Sequence, residues 1–432
     1  MKTSRETAVD ILCKVDEGKK SHEIMNEALL KSSFSPSDSK LVKLLVNGTL
    51  ENLPFIDQVI AFYSGKNVSK HRPVIRNVLR ISIYQLKFLP DIGAFAVCSE
   101  ALKIAEKRKL FGLKGFVNGL LRKYARDIEE GKDYSLQTAK EDIFSSIMKQ
   151  RGADPEDIAR PGASCRFVFS RGSEEEIISL LESDGVLARR SPLADNAYFL
   201  EGYTNLSGLK AFSRGLIQFQ GVGSCLACEI LSPSKGSLIL DMCAAPGGKT
   251  IALADMAGKG AVVSRDITDG KLEKIAENAK RCGLENIIIQ KKDATVFYAE
   301  DDEKYDFIMA DLPCSGLGSV YKRPEIRYRV TKEKISELSA LQKSMLKNAV
   351  KYLKKGGLMV YSTCTVSYEE NEENGRYLES LGMTPVDFSS KLSGRPFSQS
   401  NLESSKFGHI QLLPGLDGET DGFYVSLYKK PE

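Results

Sequence analysis

Apolar residues recur at intervals of three and four through the first 127 positions, as in Ala8, Ile11, Leu12 and Val15 and again in Val42, Leu45 and Val46. That spacing lines one face of an α-helix. Ser35-Pro36-Ser37-Asp38 supplies a turn and an N-cap ahead of one such helix. Glycine and proline are sparse before Pro90, and no two-residue alternation persists. Residues 1–127 are therefore expected to form an all-α domain of several short helices. Acids then cluster at Asp127, Glu129 and Glu130, and the stretch beyond them is punctuated by Gly152, Pro155, Pro161 and Gly162. Residues 128–163 read as a connector carrying some helix of its own.

The pattern changes near residue 164. A strand over 165–170, a helix over 174–183 and a strand over 197–200 predict a small α/β module, 164–215. From 216 to 432 strands and helices alternate. Strands are expected at 237–240, 261–264, 287–290, 307–310 and 358–362, with an edge pair near 410–413 and 423–428. Helices fall between them, notably at 272–281 and 332–352. Such alternation implies a mostly parallel, doubly wound sheet, which binds ligands at the carboxyl ends of its strands.

Composition narrows the class. The 432 residues leave room for two or three domains with their own cores. Hydrophobic residues make up 42%, and no run approaches the roughly 18 apolar residues that span a bilayer. Met1-Lys2-Thr3-Ser4-Arg5-Glu6 lacks the apolar stretch of a secretory signal, so a cytoplasmic protein without a membrane partner is expected. Nine scattered cysteines form no disulfide framework. Cys225-Leu226-Ala227-Cys228 has no second pair, and His22, His71 and His409 lie far from it, so no metal is expected. Charge is uneven. The chain is +4 overall, yet residues 66–126 hold 14 lysines and arginines against Asp91, Glu100 and Glu106. That segregation suits either a polyanion partner or ordinary solvated helix faces.

The candidate chemistry sits at strand ends. Leu240-Asp241-Met242-Cys243-Ala244-Ala245-Pro246-Gly247-Gly248-Lys249-Thr250 falls where the first strand of the large sheet turns into a helix. Small residues let backbone approach a ligand, and a helix N-terminus favours carboxylates and phosphates. A P-loop would need glycine at 243, where cysteine stands. Asp266 ends the second strand, where nucleotide-binding sheets place an acid on a ribose, and Asp293 ends the third; acids at successive strand ends suit an adenosine-containing cofactor. Asp311-Leu312-Pro313-Cys314-Ser315-Gly316 ends the fourth, and Ser362-Thr363-Cys364-Thr365 the fifth. Two cysteines thus arrive at the mouth of the sheet, one of them beside an aspartate.

Together these segments resemble the bacterial ribosomal RNA cytosine-5 methyltransferases of the Nol1/Nop2/Sun group, over nearly the whole chain. The helical part is similar to the RNA-binding domain shared with the antitermination factor NusB, through Ile83-Tyr84-Gln85-Leu86 and Gly115-Phe116-Val117-Asn118-Gly119-Leu120-Leu121-Arg122. Two departures stand out. The group's Gln-Asp before the first strand is Gln220-Gly221 here, and its Thr-Cys-Ser is Thr363-Cys364-Thr365.

The resemblance implies a class I, Rossmann-like methyltransferase domain, an N-terminal NusB-like domain and a small RNA-binding module between them. It implies S-adenosylmethionine as methyl donor. Cys243, Ala244, Ala245, Pro246, Gly247, Gly248 and Lys249 would hold its methionine end, Asp266 its ribose and Asp293 its adenine. Cys364 would attack carbon 6 of the cytosine and Cys314 would assist release. Asp311 would lie near base and methyl donor, and Lys249 would lower a thiol pKa. The implied substrate is small-subunit ribosomal RNA. The rivals are transfer RNA methylation and a non-catalytic RNA-binding or antitermination factor.

Overall fold

The structure is a computed structural model and describes residues 2–132, 142–156, 161–203 and 205–432. The chain divides into two compact units, Met1–Asp142 with Val320–Arg329, and Ile143–Ser319 with Val330–Glu432.

The first unit is helical, with helices Ser4–Asp16, Ser21–Leu30, Pro36–Glu51, Leu53–Ser64, Pro73–Phe88, Ala94–Lys107 and Lys114–Glu129. The residues picked out by three-and-four spacing form its core: Ala8, Ile11, Leu12, Val15, Val42, Leu45 and Val46 are all buried. Ser35 caps its helix as expected, its Oγ accepting from the Asp38 N–H at 3.1 Å. Much of the basic stretch is neutralised within this unit. Arg80 is buried between Asp16 and Asp57, Lys107 pairs with Glu6, and Arg108 with Asp10. Lys109, Arg122, Lys123 and Arg126 remain exposed. Val320–Arg329 belongs here although it comes after the Cys314 motif: buried Glu325 accepts from Ser21 N–H at 3.1 Å and Ser21 Oγ at 2.7 Å.

In the second unit, the described part of the connector holds the helix Ile143–Gln150; the expected connector positions 133–141 and 157–160 lie outside the described residues. Next comes a four-stranded antiparallel sheet, built from β1 (Ala163–Phe167), β2 (Leu187–Arg190), β3 (Tyr198–Glu201) and β4 (Ile217–Phe219) in the order β2-β3-β1-β4. The module edge expected at 215 is thus too early. Ile217-Gln218-Phe219 pairs with β1, and three residues are too short to announce a strand by alternation.

The large sheet comprises β5 (Leu238–Asp241), β6 (Ala261–Asp266), β7 (Ile287–Lys291), β8 (Tyr305–Asp311), β9 (Leu353–Thr363), β10 (Thr384–Pro385), β11 (His409–Leu412) and β12 (Phe423–Lys429). Its order is β10-β12-β9-β8-β5-β6-β7, with β11 also on β12. Strands β5 to β9 run parallel, and β12 is antiparallel to β9. The strand 423–428, expected in an edge pair, instead lies between β9 and the outer strands. The order reverses between β5 and β8, which opens a crevice above their carboxyl ends. Buried Arg166 of β1 pairs with Asp255 at 2.8 Å and ties the small sheet to the helix Gly248–Ala257.

Candidate active site at the carboxyl ends of the central strands

Five strand ends deliver the residues expected from the sequence: Asp241 on β5, Asp266 on β6, Asp293 after β7, Asp311 on β8 and Cys364 after β9. Between β5 and its helix, Gly247 has φ 104°, a left-handed value that favours glycine, and Gly248 opens the helix. Asp266 is buried and braces this loop. It accepts from the Ala245 N–H at 3.1 Å, the Ile267 N–H at 2.8 Å and Lys271 Nζ at 2.8 Å. Asp293 accepts from the backbone and hydroxyl of Thr295 at 2.8 and 2.7 Å. A carboxylate has about four acceptor positions, so both acids keep capacity for a ribose or an adenine.

Asp241 is almost wholly buried. Thr250 Oγ1 donates to its Oδ2 at 2.7 Å, while Oδ1 has no partner among the described residues. Burial pushes its carboxyl up to about 7. Both polar atoms of the Gln220 amide are also buried without a partner among the described residues, and that amide packs 3.8 Å from where a Gly248 Cβ would stand. Orphaned buried polar atoms around a glycine loop fit the ammonium and carboxylate of a methionine end. The Gly221 departure has a counterpart in space: a Cβ there would lie 3.1 Å from Asp421 Oδ2.

Lys249 lies among these strand ends with a carboxylate partner. Its Nζ donates to Asp311 Oδ2 at 2.7 Å and to Ser224 Oγ at 2.9 Å, and stands 5.2 Å from the Phe423 ring centre. Burial works against its charge, but the Asp311 carboxylate prevails and its pKa is raised. The cation is thus held by a carboxylate. Ser362 Oγ holds the other Asp311 oxygen at 2.8 Å.

The two sulfurs meet, Cys314 Sγ lying 3.4 Å from Cys364 Sγ. The Cys314 thiol is pushed well above its usual range, first by its hydrogen bond to Cys364, then by burial and by the charges of Cys364, Glu370 and Asp311. The contact needs glycine close by. Gly318 N–H donates to the Cys364 carbonyl at 3.0 Å, and a Cβ at 318 would come within 1.9 Å of the Gly422 carbonyl oxygen.

Residues 228–429 match the family model described as 16S rRNA methyltransferase RsmB/F, and residues 2–126 match the NusB family. Over 456 aligned positions the chain is 30% identical to the probable ribosomal RNA small subunit methyltransferase B of Bacillus subtilis strain 168, covering 99% of each protein. The chain belongs to the ribosomal RNA small subunit methyltransferase B family. The Proteus mirabilis member is 29% identical, with 90% of this chain and 95% of that one aligned. The crystal structure of PH0851 superposes with TM-score 0.81 at 24% identity, over 100% of this chain and 99% of that one. NSun6 from Pyrococcus horikoshii superposes with TM-score 0.59 at 23% identity, over 68% and 98%. These two likenesses show the fold.

Some of the site was not foreseen. Ser224 flanks the Lys249–Asp311 pair, and a lone serine carries no spacing signal. Arg151 donates to the Val366 carbonyl at 2.6 Å, pairs with Glu372 at 2.9 Å and lies over the Tyr368 ring. It ties the end of the connector to the segment after Cys364. Glu370, 0% exposed, binds Ser315 beside Cys314. It sits in Glu369-Glu370-Asn371-Glu372-Glu373, a run that reads as a solvated helix start.

Proposed function

We propose that this chain transfers a methyl group to carbon 5 of a cytosine in small-subunit ribosomal RNA, with Cys364 as nucleophile and Cys314 as the residue that frees the product. Membership of the family makes it an S-adenosylmethionine-dependent ribosomal RNA methyltransferase. The cysteine roles rest on one observation above all, the sulfurs 3.4 Å apart at adjacent strand ends beside the Lys249–Asp311 pair.

S-adenosylmethionine supplies an electrophilic methyl on a sulfonium. The residues of loop 243–249, with Asp241 and Gln220, would hold its methionine end, Asp266 its ribose and Asp293 its adenine. Cytosine C5 is a weak nucleophile until a thiolate adds at C6 and pushes electron density towards it. Cys364 makes that bond. Lys249 fixes Asp311, and Asp311 hydrogen-bonds the cytosine edge while the ring carries extra charge.

Release needs the C5 proton to leave to the Cys314 sulfur. The C–H electron pair then closes the C5–C6 double bond, and Cys364 departs as thiolate. Before Cys364 bonds to the base, its hydrogen bond and charge help keep the proton on Cys314. Once Cys364 is a thioether those two influences fall away, which eases loss of the Cys314 proton to water, while burial, Glu370 and Asp311 still oppose it. The target base must leave its stack to reach this crevice. The exposed cations of the helical unit and the small sheet would hold the surrounding RNA by phosphate and shape.

Bisulfite sequencing of small-subunit RNA from cells with and without the gene tests this reading. It predicts one cytosine protected only when the gene is present. Protection confined to transfer RNA would contradict the ribosomal assignment.

A further inference from the structure

The two cysteine turns are joined behind the sulfurs by a buried carboxyl. Ser315 comes directly after Cys314, and Thr365 directly after Cys364. Ser315 N–H donates to Glu370 Oε1 at 2.8 Å, and Ser315 Oγ donates to Glu370 Oε2 at 2.5 Å. Ser315 Oγ also lies 2.7 Å from Thr365 Oγ1. The serine hydroxyl has a single hydrogen, and the carboxylate takes it. With that hydrogen directed at the carboxylate, the Thr365 hydroxyl is left to donate towards Ser315, and it also acts on Glu370 itself, so the three form one cluster.

Gln342 Nε2 completes the clasp, donating to the Pro313 carbonyl at 2.8 Å and to Glu370 Oε1 at 3.2 Å. Every member is buried: Glu370, Gln342 and Thr365 are 0% exposed and Ser315 is 8% exposed. Burial raises the Glu370 pKa, partly offset by Ser315, Gln342 and Thr365. A carboxylate placed here at such desolvation cost, bonded to the neighbour of one cysteine and through it to the neighbour of the other, does more than fill space.

We infer that Glu370 is a positioning residue that, through Ser315 and Thr365, holds the Cys314 turn against Cys364 and thereby sets the rate at which the enzyme leaves its methylated product. The inference rests on the cysteine roles proposed above. Methyl transfer needs Cys364 placed against the base. Release needs both sulfurs in register, so the clasp bears on release more heavily than on transfer. Threonine in place of the family's serine at 365 is neutral by this logic, since only the hydroxyl takes part.

The test compares E370Q, T365V and T365S with C314A on unmodified target RNA. Adduct is read on a denaturing gel, methyl transfer by single turnover and turnover at steady state. In E370Q the amide cannot accept from both Ser315 donors, and in T365V the cluster loses a donor. Both should show at least about fivefold more adduct and slower steady-state turnover, with single-turnover transfer changed less than about twofold. T365S should restore release relative to T365V. If E370Q does not fold, T365V and T365S carry the comparison alone. Equal slowing of transfer and turnover, without excess adduct, overturns the inference while C314A still traps RNA. Absence of adduct in C314A removes the cysteine roles, and the inference with them.

Discussion

Asp241 closes β5 with its carboxyl buried, one oxygen on Thr250 and the other without a partner among the described residues. Its folded-state pKa is about 7, against about 4 for a free aspartate. Between those values the unfolded chain has released its proton and the folded chain has not. The contribution of this group to the stability of the cofactor-free protein is therefore greatest below about pH 4 and falls by up to about 4 kcal/mol as pH rises towards 7. D241N cannot ionise, so its stability relative to the native chain should rise across that window in denaturant titrations. Parallel pH curves would remove the buried-charge account. At this scale the sequence was most informative. Asp241, Asp266, Asp293, Asp311, Cys314 and Cys364 stand at strand ends because motif and β-strand length together specify them. Lys249 is legible as a site residue but not its neighbour, since which anion captures a long flexible amine is decided by packing. Glu370 and Arg151 are invisible in the sequence for the same reason.

Val320–Arg329 is an element whose fold membership differs from that of its flanks. The chain leaves the methyltransferase unit at Ser319 and rejoins it at Val330. Within the helical unit Glu325 accepts from Ser21, and Tyr328 Oη donates to the Glu51 carbonyl at 2.8 Å. E325A leaves the buried Ser21 N–H and hydroxyl without their acceptor, a loss of about 1–3 kcal/mol. It should open 320–329 to limited proteolysis, whereas E325Q, which keeps an acceptor, should protect it. Equal cleavage of both variants and the native chain would contradict this. The long helices and the parallel strands were legible because their periodicity persists over many residues. β2 and β4 were not. Leu187-Ala188-Arg189-Arg190 is an edge strand with two arginines, and β4 has three residues. β9 extends back to Leu353 through Gly356-Gly357, residues that read locally as a turn.

For the whole molecule, charge segregation was visible in the sequence, but its distribution between internal pairs and open surface was not. Lys107 and Arg108 hold Glu6 and Asp10, so K107E should lower the melting temperature of the protein. Arg122 and Lys123 are exposed on the helix Lys114–Glu129. Reversing both should flatten the log–log salt slope of RNA binding by about 1.5 and leave cofactor affinity unchanged. An unchanged slope in filter-binding titrations would assign them to a solvated face. The division of labour between the cysteines is the central claim, and one gel bears on it most directly. Native enzyme, C364A and C314A are incubated with S-adenosylmethionine and target RNA, and protein-bound RNA is resolved under denaturing conditions. The account predicts no adduct and no methylation with C364A, and with C314A a slow-migrating band carrying methylated RNA that does not turn over. Adduct with C364A and none with C314A would contradict it and move the nucleophile to Cys314.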